Sequence, residues 1–132
     1  MIFLFEATYK VKGIHFHLNN IEDFTLYGVE NAFKQVFLNI ISNAKDAIVD
    51  AQIEDGVIDI TINQHRVEIY NTGPQIPDEI LTTLFNAEFT TKESGNGIGL
   101  YLCKTLLNEK FNAEITVQNE PKGVRFMLDF NQ

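Results

Sequence analysis

The sequence predicts an α+β domain, a two-layer α/β sandwich whose mixed, mostly antiparallel sheet carries helices on one face. Three observations predict it. Several short runs alternate apolar and polar residues with the period of half-buried strands. Longer stretches between them keep an apolar face at helical spacing. The order of these patterns, closing on two successive strands, suits an antiparallel sheet better than a parallel wound one.

Taken in order, Met1 to Lys12 alternates through Phe3, Phe5, Ala7, Tyr9 and Val11 like a strand, but little else there specifies one. Ile14, Phe16 and Leu18 share one face of a strand, with His15 and His17 on the other. Phe24 and Leu26 repeat the alternation. A long helix is expected from Glu30 to Ala51, where Phe33, Val36, Phe37, Ile40, Ile41, Ala44, Ala47, Ile48 and Ala51 form the apolar face. Strands follow at Ile58, Ile60 and Ile62 and at Val67 and Ile69, with His65 in the turn between them. Pro77 suits the first turn of a short helix, and a further helix runs from Ile98 to about Lys110. Ile115 and Val117, then Val124, Phe126, Leu128 and Phe130, close the chain as a hairpin around Pro121 to Gly123.

At 132 residues, 45% of them hydrophobic and 21% charged, the chain is one domain with a real core and too short for two. Its net charge of -8 argues against a nucleic-acid partner, since such proteins concentrate Lys and Arg against phosphates. No apolar run reaches membrane-spanning length, and Met1 is not followed by a basic region and cleavable apolar core, so no membrane contact is expected of this domain. Cys103, the single cysteine, lies among Leu102, Leu106 and Leu107 and reads as a buried small hydrophobe in a reducing compartment, the cytoplasm.

The long helix carries a polar stripe. At about 100° per residue, Gln35, Asn39, Asn43, Asp46 and Asp50 fall within an arc of about 80° opposite the apolar face. A solvated face is one explanation. Such faces are normally Lys, Glu and Arg, however, and asparagine is a poor helix former. Amide oxygens and a carboxylate on successive turns are also what a hard cation uses when it keeps its waters and takes its other ligands from phosphates. A second feature is "TTKESGNGIGLYLCKTLL", with Gly95, Gly97 and Gly99 running into a helix and Lys92 just upstream. It is neither a P-loop nor a dinucleotide fingerprint. It is either a flexible capped loop or bare backbone that offers N–H groups to an anion.

In sequence order, "QVFLNIISNAKDAI", "NTGPQIP", "LFNAEFTTK" and "GNGIGLYLCKTLL" resemble the asparagine, first glycine, phenylalanine and second glycine boxes of the ATP-binding catalytic domain of sensor histidine kinases. The resemblance covers about Lys12 to Phe130, and its wording is closest to the nitrogen-regulation type of kinase. It implies the Bergerat ATP-binding fold, with ATP and Mg2+ as cofactors. Asn43 then matches the magnesium ligand, with Asn39 beside the phosphates as a further ligand and Asp46 supporting the same edge. Asn71 matches the acceptor for the adenine amine, and Gly73 lets the loop pass close to the base. Phe85 and Phe89 match the lid, unless they simply fill core. Gly95, Gly97, Gly99 and the backbone of Leu100 would surround the triphosphate, and Asn39 with Lys92 are the candidate catalytic positions.

Asn39 stands where hydrolysing members of the superfamily carry a glutamate, and an amide is no general base at neutral pH. The γ-phosphoryl group is therefore kept for another acceptor. By resemblance, that acceptor is a histidine on a separate helical hairpin of the same parent protein, with a response regulator as indirect partner. His15, His17 and His65 do not fit this role, so the chain reads as one excised catalytic domain, residues 1–132, with residues 1–12 as linker. A monomer inactive in phosphotransfer by itself is expected. Two departures from the family pattern, Asn71 for aspartate and Gln75 for glycine, support an alternative: a degenerate nucleotide-binding or interaction module of the same fold without phosphotransfer.

Overall fold

Ile58, Ile60, Val67 and Ile69 alternate with more exposed neighbours and are almost inaccessible, so the period of two seen in the sequence is a real buried face. The computed structural model describes residues 13–86 and 96–132. Five strands, β1 (Ile14–Glu22), β2 (Gly56–Asn63), β3 (Arg66–Asn71), β4 (Ala113–Glu120) and β5 (Gly123–Phe130), form one sheet in the order β1-β2-β3-β5-β4. Helices α1 (Glu30–Asp50), α2 (Asp78–Leu81) and α3 (Asn96–Phe111) complete the described elements.

The sheet is mixed and mostly antiparallel. β1 and β2 pair in parallel, because the 21-residue α1 between them is long enough for a crossover. β2 and β3 pair antiparallel across a tight turn in which Gln64 and His65 both take positive φ, at 34° and 63°. β3 pairs antiparallel with β5, and β5 with β4. The core lies between this sheet and α1 with α3, built on Phe37, Ile40, Ile48, Leu107 and Leu128. Phe33, Phe111 and Phe130 pack ring against ring at its far end from Asn71, with centroids 6.0 to 6.2 Å apart.

Two expectations change, while the short helix expected after Pro77 forms as a single turn. Phe24 and Leu26 are half-buried but form no strand; the chain leaves the sheet after Glu22 to reach α1. Phe24 packs instead on the rings of His65 and Phe130, at 5.1 and 5.8 Å. α3 starts at Asn96 rather than Ile98, so Gly97 and Gly99 lie in its first turn. α3 ends where Asn112 takes positive φ, the left-handed conformation that terminates helices, and Asn112 Nδ2 donates to the Asn131 carbonyl. Residues 1–12, for which strand and linker readings compete, lie outside the described residues.

Candidate functional site

The apolar face of α1 is buried on the sheet, which turns its asparagines towards α3 and a cavity. Asn43 Nδ2 donates to the Asn39 carbonyl one turn back, at 2.9 Å. This local bond holds the amide, and Asn43 Oδ1 makes no hydrogen bond among the described residues. The Asn39 side chain lies against Gly99, where an added Cβ would stand 3.3 Å from Asn39 Cγ. Bare backbone at Gly99 thus lets α3 close on α1. Beneath this contact Cys103 is fully buried and donates to the Val36 carbonyl at 3.5 Å. Burial pushes its thiol up to about 12, and a hydrogen bond with the Asn39 side chain pulls the other way. Asp46 pairs with its neighbour Lys45 at 3.3 Å.

A cavity of about 420 Å³ opens beside α1. Asn43, Ala47 and Asp50 of α1 form one wall, Asn71 and Phe126 lie across from it, and Gln75 and Ile76 form a third side. Leu100 joins it from α3. The cavity therefore brings together residues of all four sequence boxes: Asn43, Asn71 with Gln75, Leu84, and Leu100. Asn39, Asp46 and Gly73 are not among its lining residues, although Asn39 touches α3 and Gly73 touches Ala47. Among the described residues, no group of three or more His, Cys, Asp or Glu gathers to hold a metal.

Asn71, 3% exposed, is the one buried polar side chain in the described core. Its Oδ1 accepts from the Gly73 N–H at 2.8 Å, so residues 71 to 73 turn sharply away from the end of β3. A Cβ at Gly73 would lie 2.8 Å from that oxygen and 3.0 Å from Ala47 Cβ. Only glycine allows this approach without displacing one of them. At Gly123 a Cβ would fall on the Asn71 carbonyl oxygen, so the start of β5 must be bare as well.

The loop that follows is held from a distant part of the chain. Asn119, near the end of β4, accepts from Ile76 N–H at 2.8 Å and donates to Ile76 C=O at 2.7 Å. Gln75 Nε2 donates to the Glu120 carbonyl at 2.6 Å, which draws its side chain towards the β4–β5 turn. Sequence reasoning missed this double clamp, since 43 residues separate Asn119 from Ile76. The available signal was weak: asparagine is depleted in strands, and one there needs a partner.

Further along, Leu84 is 4% exposed and lines the cavity, a core residue also missed from sequence. Phe85 packs edge-on against Phe126 at 6.4 Å, in accord with its reading as core. Phe89, Lys92 and Gly95 lie outside the described residues.

Fold and cavity define a two-layer α/β domain with a largely apolar pocket, one buried amide on its floor and a glycine-bearing helix start along one side. The chain belongs to the histidine kinase-, DNA gyrase B- and HSP90-like ATPase family, whose model matches residues 28–132. It is 32% identical over 130 residues to sporulation kinase A of Bacillus subtilis, covering 96% of this chain and 21% of the relative. Among solved structures, the nucleotide-free catalytic domain of histidine kinase ThkA matches with a TM-score of 0.80 and 31% identity, over 97% of this chain and 85% of that one. ThkA in complex with the response regulator TrrA matches with a TM-score of 0.73 and 28% identity, over 97% of this chain and 37% of that one. The chain thus has the ATP-binding domain fold of sensor histidine kinases, and spans about a fifth of the length of sporulation kinase A.

Proposed function

We propose that this domain binds MgATP and donates its γ-phosphoryl group to a histidine on a separate phosphoacceptor segment, which passes it to a response regulator in the cytoplasm. One observation carries the reading: a single cavity runs from a buried amide at Asn71 to Asn43 and the start of α3, uniting all four boxes. An apolar slot with few polar groups suits a flat base. Asn71 and Ala47 line the part of the cavity assigned to the base, and Gly73 lets the loop behind them lie close to Ala47.

The donor set fits magnesium. Asn43 has its nitrogen tied to its own helix and its oxygen uncommitted, a hard ligand on a fixed arm. Asn39 stands beside it, and two amides leave most of the coordination to water and phosphate. A magnesium ion held there would offset charge on the phosphate oxygens. In α3, which starts at Asn96, the first N–H groups, that of Gly97 among them, have no acceptor within the helix and would face an anion. Lys92, a candidate by resemblance alone, lies outside the described residues. Asn39 cannot take a proton from water, so hydrolysis is left slow and transfer to histidine is favoured. Gln75, the departure that most favours a degenerate module, has its amide drawn to Glu120 rather than left free across the base.

The test supplies γ-labelled ATP and magnesium to this chain together with the parent's phosphoacceptor segment. Acid-labile label on a histidine is expected, lost with Asn43→Ala. Binding of ATP without any transfer would favour the degenerate module.

A further inference from the structure

Asn71 is where the molecule departs most sharply in chemistry from a site that accepts an amine. It is 3% exposed and sits on the cavity floor, whereas Asp50 and Gln75, also lining the cavity, are exposed and Asn43 is half-buried. The orientation of its amide follows from its neighbour. Gly73 N–H can only donate, so the atom facing it at 2.8 Å must be Oδ1. Nδ2 then makes no hydrogen bond among the described residues. Nor is it sealed off, since the one fully buried side-chain nitrogen or oxygen without a partner there is His65 Nδ1. An unpartnered donor on a buried side chain thus opens into the cavity. Thr72 does not line the cavity, and its Oγ1 accepts from Val57 N–H at 2.9 Å.

We infer that Asn71 makes this a site for 6-oxopurine nucleotides, which it binds at least as tightly as ATP. The inference rests on the nucleotide reading above and concerns only the base. A carbonyl at position 6 of the purine accepts from Nδ2 and leaves the Asn71–Gly73 bond intact. The 6-amine of adenine meets Nδ2 donor to donor. Turning the amide over would satisfy the amine but set Nδ2 against Gly73 N–H, so one buried donor goes unpaired either way. An aspartate at the same position would accept from both Gly73 and the amine.

The experiment is calorimetric titration of the chain with the magnesium salts of ATP, ITP and purine riboside triphosphate, which carries neither amine nor oxygen at position 6. ITP lacks the 2-amine of guanine, so it differs from ATP only along one edge, in the group at position 6 and the proton on N1. The wild type should bind ITP at least as tightly as ATP, with purine riboside triphosphate weaker than ITP. Asn71→Asp should shift the ITP-to-ATP ratio towards ATP by on the order of tenfold. A wild type that prefers ATP overturns the inference, as does one that binds the unsubstituted analogue as tightly as ITP, and these arms stand even if Asn71→Asp does not fold. A ratio unmoved by a folded Asn71→Asp overturns it too. Failure of all three to bind overturns the nucleotide reading itself, and this inference with it.

Discussion

The two ends of the cavity are held in different ways. At the end floored by Asn71, the wall from Gly73 to Ile76 is tied by side-chain hydrogen bonds from Asn71, Asn119 and Gln75, one of them reaching across 45 residues. At the other end, Asn43 is held by a bond within its own helix turn, and α3 meets α1 through the bare backbone of Gly99. The end proposed for the base is therefore a product of the sheet, while the end proposed for the phosphates is a product of two local motifs. Damage at the first should register as altered base affinity together with lost stability. Damage at the second should register as altered metal and phosphate binding with the fold nearly untouched.

The largest effect tests the dependence on the sheet. Gly123→Ala sets a methyl group on the Asn71 carbonyl oxygen and must push β5 from β3. A stability loss of about 3 kcal/mol, the upper part of the usual overpacking range, is expected in urea unfolding. A loss below about 1 kcal/mol would mean that the strand ends yield easily, and that the base wall is less rigid than its bonds imply.

Asn43→Ala probes the opposite end. Magnesium-dependent nucleotide binding should disappear in calorimetry, while the melting temperature holds or rises slightly, because alanine is the better helix former and only a local bond is lost. A large drop in melting temperature would erase the contrast between the two ends.

Asn119→Ala removes both bonds to Ile76 without touching the cavity lining. Its expected cost is about 1 to 3 kcal/mol of stability for groups left unpaired. If the proposed phosphotransfer is reconstituted with the phosphoacceptor segment, KM for nucleotide should rise on the order of tenfold with kcat unchanged, the signature of binding lost equally from ground and transition states. An equal fall in kcat would tie the clamp to the phosphate end as well.

The smallest effect concerns Cys103, under the contact between the helices. Its folded pKa of about 12 lies above the ordinary thiol value, so the stability this contributes is complete below about pH 9. It is lost as pH rises from there through about 12. Cys103→Ala should remove that alkaline component from the stability profile. At pH 8 iodoacetamide should label the native thiol on the order of a hundred times more slowly than the unfolded one. Rapid native labelling would show that α1 and α3 part readily beside Asn39.

Where local chemistry dictates structure, the sequence was a sufficient guide. The heptad-like spacing of Phe33, Val36, Phe37, Ile40 and Ile41 specifies α1, and the alternation of Ile58 and Ile60 or Val67 and Ile69 specifies strands, because burial has the period of the backbone. The family was equally legible, since each of the four boxes is a short run of particular residues at fixed spacing. Phe24 and Leu26 misled because alternation alone cannot say whether a strand has a neighbour to pair with. Burial of Leu84 was missed as well, although Ile80, Leu81 and Phe85 stand beside it at helical spacing.

By itself, then, the sequence determined the elements, the α+β class and the family, all properties of residues close together in the chain. Only the tertiary structure decided the parallel pairing of β1 with β2, the clamp of Asn119 on Ile76, and which atom of Asn71 faces the cavity. Each of these depends on where distant backbone groups come to rest. A side chain's identity states what it can donate or accept; its partner is chosen only when the sheet has brought one within 3 Å.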